Sequence, residues 1–170
     1  MITIDELIDY LNEQPTSGFS VDCYDEDDDF SDDDEWPETT QSYIHNDGGR
    51  AKSGRKGTTG DCGVRAMAIA LGIEYDAAYK ELAQANKDNG RAKSMRSGIY
   101  KEAFGDVLAR YGWVWHSAPK FDGRKARCSD MPSGTVIARQ SRHFVAVIDG
   151  TPCDIFDSSE KMVYGYWAKG

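Results

Sequence analysis

A chain of 170 residues is long enough for one domain with extensions and a sizeable buried core. Its charge is divided: residues 1–40 hold fifteen acids and no Lys or Arg, while the remaining 130 residues hold 20 basic residues against 14 acids, so a net of −15 adjoins a net of +6. No apolar run approaches the ~18 residues of a membrane-spanning helix, and no basic, apolar leader opens the chain, so a soluble, cytoplasmic protein is expected.

In chain order, Thr3 to Glu6 have capping-box spacing, and Ile4, Leu7, Ile8 and Leu11 recur at helical intervals. A short amphipathic helix is therefore expected within residues 1–15. Residues 16–56 read as a disordered linker, acidic and then basic. Eleven acids lie between Asp22 and Glu38, too self-repelling and too poor in apolar residues to fold alone. Residues 46–60 are rich in Gly, Ser, Thr, Lys and Arg. Without interleaved aromatic residues to stack bases, nucleic-acid binding is not expected of them.

The folded domain is expected over residues 57–170. Residues 62–71 form an almost wholly apolar helix, closed at Gly72. A second helix begins near Asp76, its N-cap, and a third spans about Ile99 to Tyr111. Beyond Gly112 the pattern alternates, giving candidate strands at Trp113–His116, Thr135–Arg139, His143–Ile148, Pro152–Phe156 and Met162–Trp167. Asp149-Gly150 marks a hairpin. Helices followed by an antiparallel meander define an α+β architecture.

The loop Gly57-Thr58-Thr59-Gly60-Asp61 delivers Cys62 to the first turn of the apolar helix. Free amides and the helix dipole there favour an anion and lower a thiol's pKa. Asp61 is the expected N-cap, and Gly63 is expected to leave space beside the sulfur. His143 opens a core strand downstream, and an acid follows on the return strand. A three-residue hairpin loop would pair 143 with 157 and offer Asp157. A two-residue loop would pair 143 with 156 and offer Asp154. Thiol, imidazole and carboxylate in this order suit nucleophilic catalysis: the base deprotonates the thiol and the acid orients the imidazole. The other cysteines, Cys23, Cys128 and Cys153, have no C-x-x-C spacing, so neither a metal site nor a disulfide framework is expected, and no cofactor. His116 and His45 read as a strand-end and a solvated histidine.

Asp61-Cys62-Gly63-Val64-Arg65-Ala66, Ser141-Arg142-His143-Phe144 and Val163-Tyr164-Gly165-Tyr166-Trp167 resemble a group of phage and prophage proteins similar to the papain-like cysteine peptidases, and among those to the bacteriocin-leader peptidases. The likeness covers residues 57 to 167. It implies a papain-like fold with helices packed on an antiparallel sheet, Cys62 as nucleophile, His143 as base and Asp157 as orienting acid, with Asp154 as the alternative. The implied substrate is a protein or peptide of the bacterial host or virion. Such enzymes place a glutamine shortly before the cysteine as an oxyanion donor; here stand Thr58, Thr59, Gly60 and Asp61, and Thr59 is the candidate substitute. The absent glutamine keeps open an inactive accessory factor that binds a host or virion protein through the acidic N-terminus. Because leader peptidases recognise a double glycine, Gly48-Gly49 is a candidate self-processing site.

Overall fold

The computed structural model describes residues 42–56, 60–90 and 95–170. The expected N-terminal helix, the acidic stretch, Cys23, Thr58 and Thr59 lie outside the described residues. Within them the protein is α+β, with helices α1 (Cys62–Leu71), α2 (Tyr75–Asp88) and α3 (Lys101–Arg110) packed on a six-stranded sheet. The strands are β1 (Ile44–His45), β2 (Trp113–Ser117), β3 (Thr135–Gln140), β4 (His143–Ile148), β5 (Thr151–Asp154) and β6 (Gly165–Lys169).

Across the sheet the order is β1-β5-β4-β3-β6-β2. This corrects the expected antiparallel meander in two respects. β1 joins β5 in parallel, so the sheet is mixed, and β6 returns to lie between β3 and β2. The meander persists only in β3-β4-β5, where each antiparallel neighbour follows the last through a short turn.

Alternation along β3 and β4 builds two cores. Ile137, Phe144 and Trp167 join the helices through Val64, Met67, Leu82, Phe104 and Leu108. Val136, Ala138, Val145 and Val147 join Ala126, Cys128, Met131 and Val163 in a second cluster. A strand covered on both faces reads as a continuous apolar run, as Phe144 to Val147 does. Helix α1 is buried from Gly63 to Ala68, which explains its lack of a polar face.

Two helix starts differ from expectation. Glu74, not Asp76, occupies the N-cap of α2, and Asp76 sits in the first turn, where its carboxylate accepts from Arg55. Ile99 and Tyr100 precede α3, with Tyr100 extended at its N-cap.

The larger correction concerns residues 42–56, expected to be linker. They form an ordered strap: β1 pairs with β5, a 3-10 turn spans Ala51–Ser53, and Arg55 bonds Asp76 while lying 3.6 Å from the centroid of Tyr79. Gly48-Gly49 belongs to a turn whose amides donate to the side chains of Asn46 and Asp47. Gly48 has a φ of 65°, and a β-carbon on it would stand 3.0 Å from the Arg65 backbone. Gly48 thus serves close packing of the strap on α1, and Gly49, with a φ of 87°, the turn's backbone, physical reasons for the pair that need no cleavage.

At the start of β6 a β-carbon on Gly165 would lie 2.3 Å from Trp115 Cζ2 and 2.6 Å from the His116 carbonyl oxygen. The carbonyl cannot swing aside as a flexible side chain could. Gly165→Ala is accordingly expected to destabilise the domain by ~1–3 kcal/mol, toward the upper end, measurable by urea denaturation.

Candidate functional site

Cys62 is the first residue of α1 and is partly exposed. His143 is the first residue of β4 and is buried to 7% exposure. The packing of α1 against β4 brings the two close enough for each to shift the other's pKa. On its other side the ring meets a carboxylate: His143 Nε2 lies 2.5 Å from Asp154 Oδ2. This leaves Nδ1 for the sulfur. Phe156 packs against the imidazole with ring centroids 5.0 Å apart.

Asp149 and Gly150, with φ of 48° and 81°, form the two-residue turn between β4 and β5. Ile148 pairs with Thr151 and Ala146 with Cys153; continued, this register sets 143 opposite 156. Side chains two apart on a strand share a face, so Asp154 and His143 project together. Asp157, the first-named orienting acid, is thereby displaced. It is exposed, and its carboxylate accepts from Ser42 Oγ at 2.6 Å and from the Ser159 amide at 2.9 Å.

Burial opposes charge at all three groups, yet their mutual contacts outweigh it. For Cys62, burial raises the thiol, but the His143 hydrogen bond and charge, the Phe144 amide and Arg65 bring it below its ordinary 9.0. For His143, burial lowers the imidazole, but the bonds to Asp154 and Cys62 lift it from 6.5 to about 8. For Asp154, burial raises the carboxyl, but His143, the Ile155 amide and Arg65 hold it below its usual range. These directions favour a thiolate beside an imidazolium, backed by a carboxylate. The other described cysteines differ: burial pushes Cys128 up to about 12, and burial also raises Cys153.

Behind this line lies a buried charge network. Asp61 occupies the N-cap of α1, but its carboxylate makes no capping bond. It pairs instead with Arg65 one helical turn on and with Arg50 from the strap, and accepts from Tyr75 Oη at 2.5 Å. The expected cap is thus a charge anchor. Arg65 Nη2 reaches Asp154 Oδ1 at 3.4 Å, so one guanidinium spans Asp61 and Asp154. Side chains of Asp61, Arg65 and Asp154 are each at most 7% exposed. Arginine suits this place because its planar fork can serve two carboxylates at once. Sequence reasoning missed the network, although a lone Arg65 inside an apolar helix, four residues after Asp61, was its available signal.

Gly63 does not leave open space beside the sulfur. A β-carbon there would meet Ile99 Cγ2 at 3.2 Å and Phe144 at 3.6 Å, so the glycine permits close packing of α1. Open volume lies on the solvent side of Cys62, in a cleft of about 470 Å³ bounded by Gly60, Gly98, Tyr100, Arg142 and His143. Thr59, the candidate oxyanion donor, falls outside the described residues. Chemically, the cleft offers a thiol with a lowered pKa, an imidazole and the amides of a helix N-terminus, which as a class lack intrahelical acceptors.

His116 sits on β2, exposed and stacked on Tyr166 with centroids 5.2 Å apart. His45 is exposed on β1. Among the described residues no group of three or more His, Cys, Asp or Glu is placed to hold a metal ion, and no helix is long and apolar enough to cross a membrane.

Fold and site together define an α+β protein whose helix-borne cysteine meets a strand-borne histidine and an aspartate on the adjacent strand. The chain matches no family model, and neither curated proteins nor solved structures provide a match.

Proposed function

We propose that the protein is a papain-like cysteine hydrolase that cleaves a peptide or isopeptide bond, with Cys62 as nucleophile, His143 as general base and acid, and Asp154 as orienting acid. The observation that carries this reading is the His143 imidazole bonded to the buried Asp154 carboxylate beside a thiol whose pKa the imidazole lowers, opening on a cleft at a helix N-terminus. The order of elements supports the papain-like assignment, and the three stretches that resemble phage and prophage proteins supply the site's cysteine, histidine and the strand β6.

In the proposed reaction the Cys62 thiolate attacks the carbonyl carbon, and the tetrahedral oxyanion forms against the backbone amide of Cys62. The His143 imidazolium then donates its proton to the leaving amine, and the C–N bond breaks to give a thioester. Water attacks the thioester while the imidazole takes its proton. The C–S bond breaks and the pair returns to its starting state. Asp154 steadies the imidazolium throughout. The missing oxyanion glutamine favours a second reading, an inactive accessory factor of the same fold.

Exposure to a proteome-derived peptide library distinguishes the two readings. New termini are expected with the wild-type chain and none with Cys62→Ala, and absence of cleavage by both supports the accessory factor. The pH profile follows from the two shifts. Activity rises as the thiol ionises, at a pH lower than an ordinary thiol requires. It falls as the imidazolium loses its proton near pH 8, because the leaving amine then lacks its acid.

A further inference from the structure

Lys101, Arg139 and Arg142 line the Cys62 cleft, and no aspartate or glutamate does so among the described residues. From this we infer the substrate class: the cleft takes an acidic peptide, its carboxylates held by these three cations. The inference rests on the hydrolase reading for the bond but not for the binding.

The three cations approach from different elements. Lys101 opens α3, Arg139 lies near the end of β3, and Arg142 sits in the turn joining β3 to β4. None of them forms an ion pair among the described residues, unlike Arg50, Arg55, Arg65, Arg124 and Arg127. Two are held by rings, which orient a cation without neutralising it: Lys101 Nζ is 4.0 Å from the Trp115 centroid and the Arg139 guanidinium 5.6 Å from that of Tyr164. Arg142 has a φ of 53°, a conformation glycine adopts at lower cost. An arginine kept there places a charge at the cleft mouth beside His143.

The basic surface continues past Arg139. Tyr164 also lines a second concavity of about 600 Å³, where Lys120 and Lys125 outnumber Asp122 and Arg124 is paired with Asp130. An extended peptide with several acids could therefore engage more than the residues next to the thiol. Complementary charge acts chiefly on encounter and selection, and weakens with salt.

The test uses full-length Cys62→Ala protein, so that binding is read whether or not the thiol hydrolyses anything. Rhodamine-labelled octapeptides with Glu or Gln at alternate positions are titrated by fluorescence anisotropy at low and high salt, with a single-stranded oligothymidylate as a third probe. The Glu peptide is expected to bind about tenfold tighter than the Gln peptide at low salt, with the difference collapsing at high salt. Arg142→Gly, which suits the turn's backbone, and Lys101→Gln should each reduce the difference, with unchanged far-UV circular dichroism confirming the fold. Equal binding of the two peptides would overturn the inference. So would tighter binding of the oligothymidylate that is lost in the same variants, since the surface would then belong to a nucleic acid. Either result leaves the hydrolase reading to its own assay on Cys62.

Discussion

Asp154→Asn is expected to lower turnover through Cys62 by a factor on the order of 10⁴, whereas Asp157→Asn leaves it within about twofold. Asparagine keeps the size of the side chain and its amide oxygen can still accept from the ring, but it brings no negative charge to hold the imidazolium. Burial alone depresses the His143 pKa, and the Asp154 bond is the first of the contacts that reverse this. Without the carboxylate the imidazole falls back from about 8, and the imidazolium needed to protonate the leaving amine is depleted at neutral pH. The alkaline limb should therefore move to lower pH along with the fall in rate. Asp157 makes its hydrogen bonds to Ser42 and Ser159 and has no such influence. Steady-state kinetics of both variants on one cleaved peptide separate the two acids.

The second large effect falls on stability. Arg65→Met is expected to cost about 3–5 kcal/mol, because it leaves Asp61 and Asp154 buried with fewer counter-charges. Arg50 and Tyr75 still hold Asp61, so the larger consequence lies at Asp154, whose carboxylate among the described residues keeps only His143 and the Ile155 amide. Combining Arg65→Met with Asp61→Asn should cost less than the sum of the two single losses, because both remove the same buried ion pair. Urea denaturation of the single and double variants measures the coupling. Additive losses would show that Arg65 and Asp61 act independently, contrary to the network described.

Much of this was legible in the sequence, for identifiable reasons. The apolar run of α1 and the continuous core strand β4 leave little choice of element, and the cysteine and histidine at their starts were therefore recognisable. The hairpin register was half-legible. Asp149-Gly150 announces a tight turn, but only its two-residue geometry, with both residues at positive φ, selects Asp154 over Asp157. The strap was not legible because its stabilising contacts are distant in sequence. A two-residue strand finds its partner at Cys153 and Asp154, and Arg50 finds Asp61 and Tyr75. Read locally, the same glycines and cations have the composition of a linker. The place of β6 between β3 and β2 was hidden likewise, since strand order is set by packing rather than by pattern. Arg65 and Asp61 were each visible, but the reach of Arg65 to Asp154 depends on the packing of α1 across β4 and β5.

The central claim is that the Cys62 sulfur is activated by the His143 ring. Its most direct test is the rate of iodoacetamide alkylation, resolved by cysteine through mass spectrometry, in wild type and His143→Ala between pH 5 and pH 9. Cys62 is predicted to react at a lower pH than an ordinary thiol requires and far faster than buried Cys128 and Cys153, with His143→Ala removing this low-pH reactivity and returning Cys62 to ordinary or weaker behaviour. A Cys62 that reacts no faster than Cys128, or whose pH dependence is unchanged without the imidazole, would contradict it.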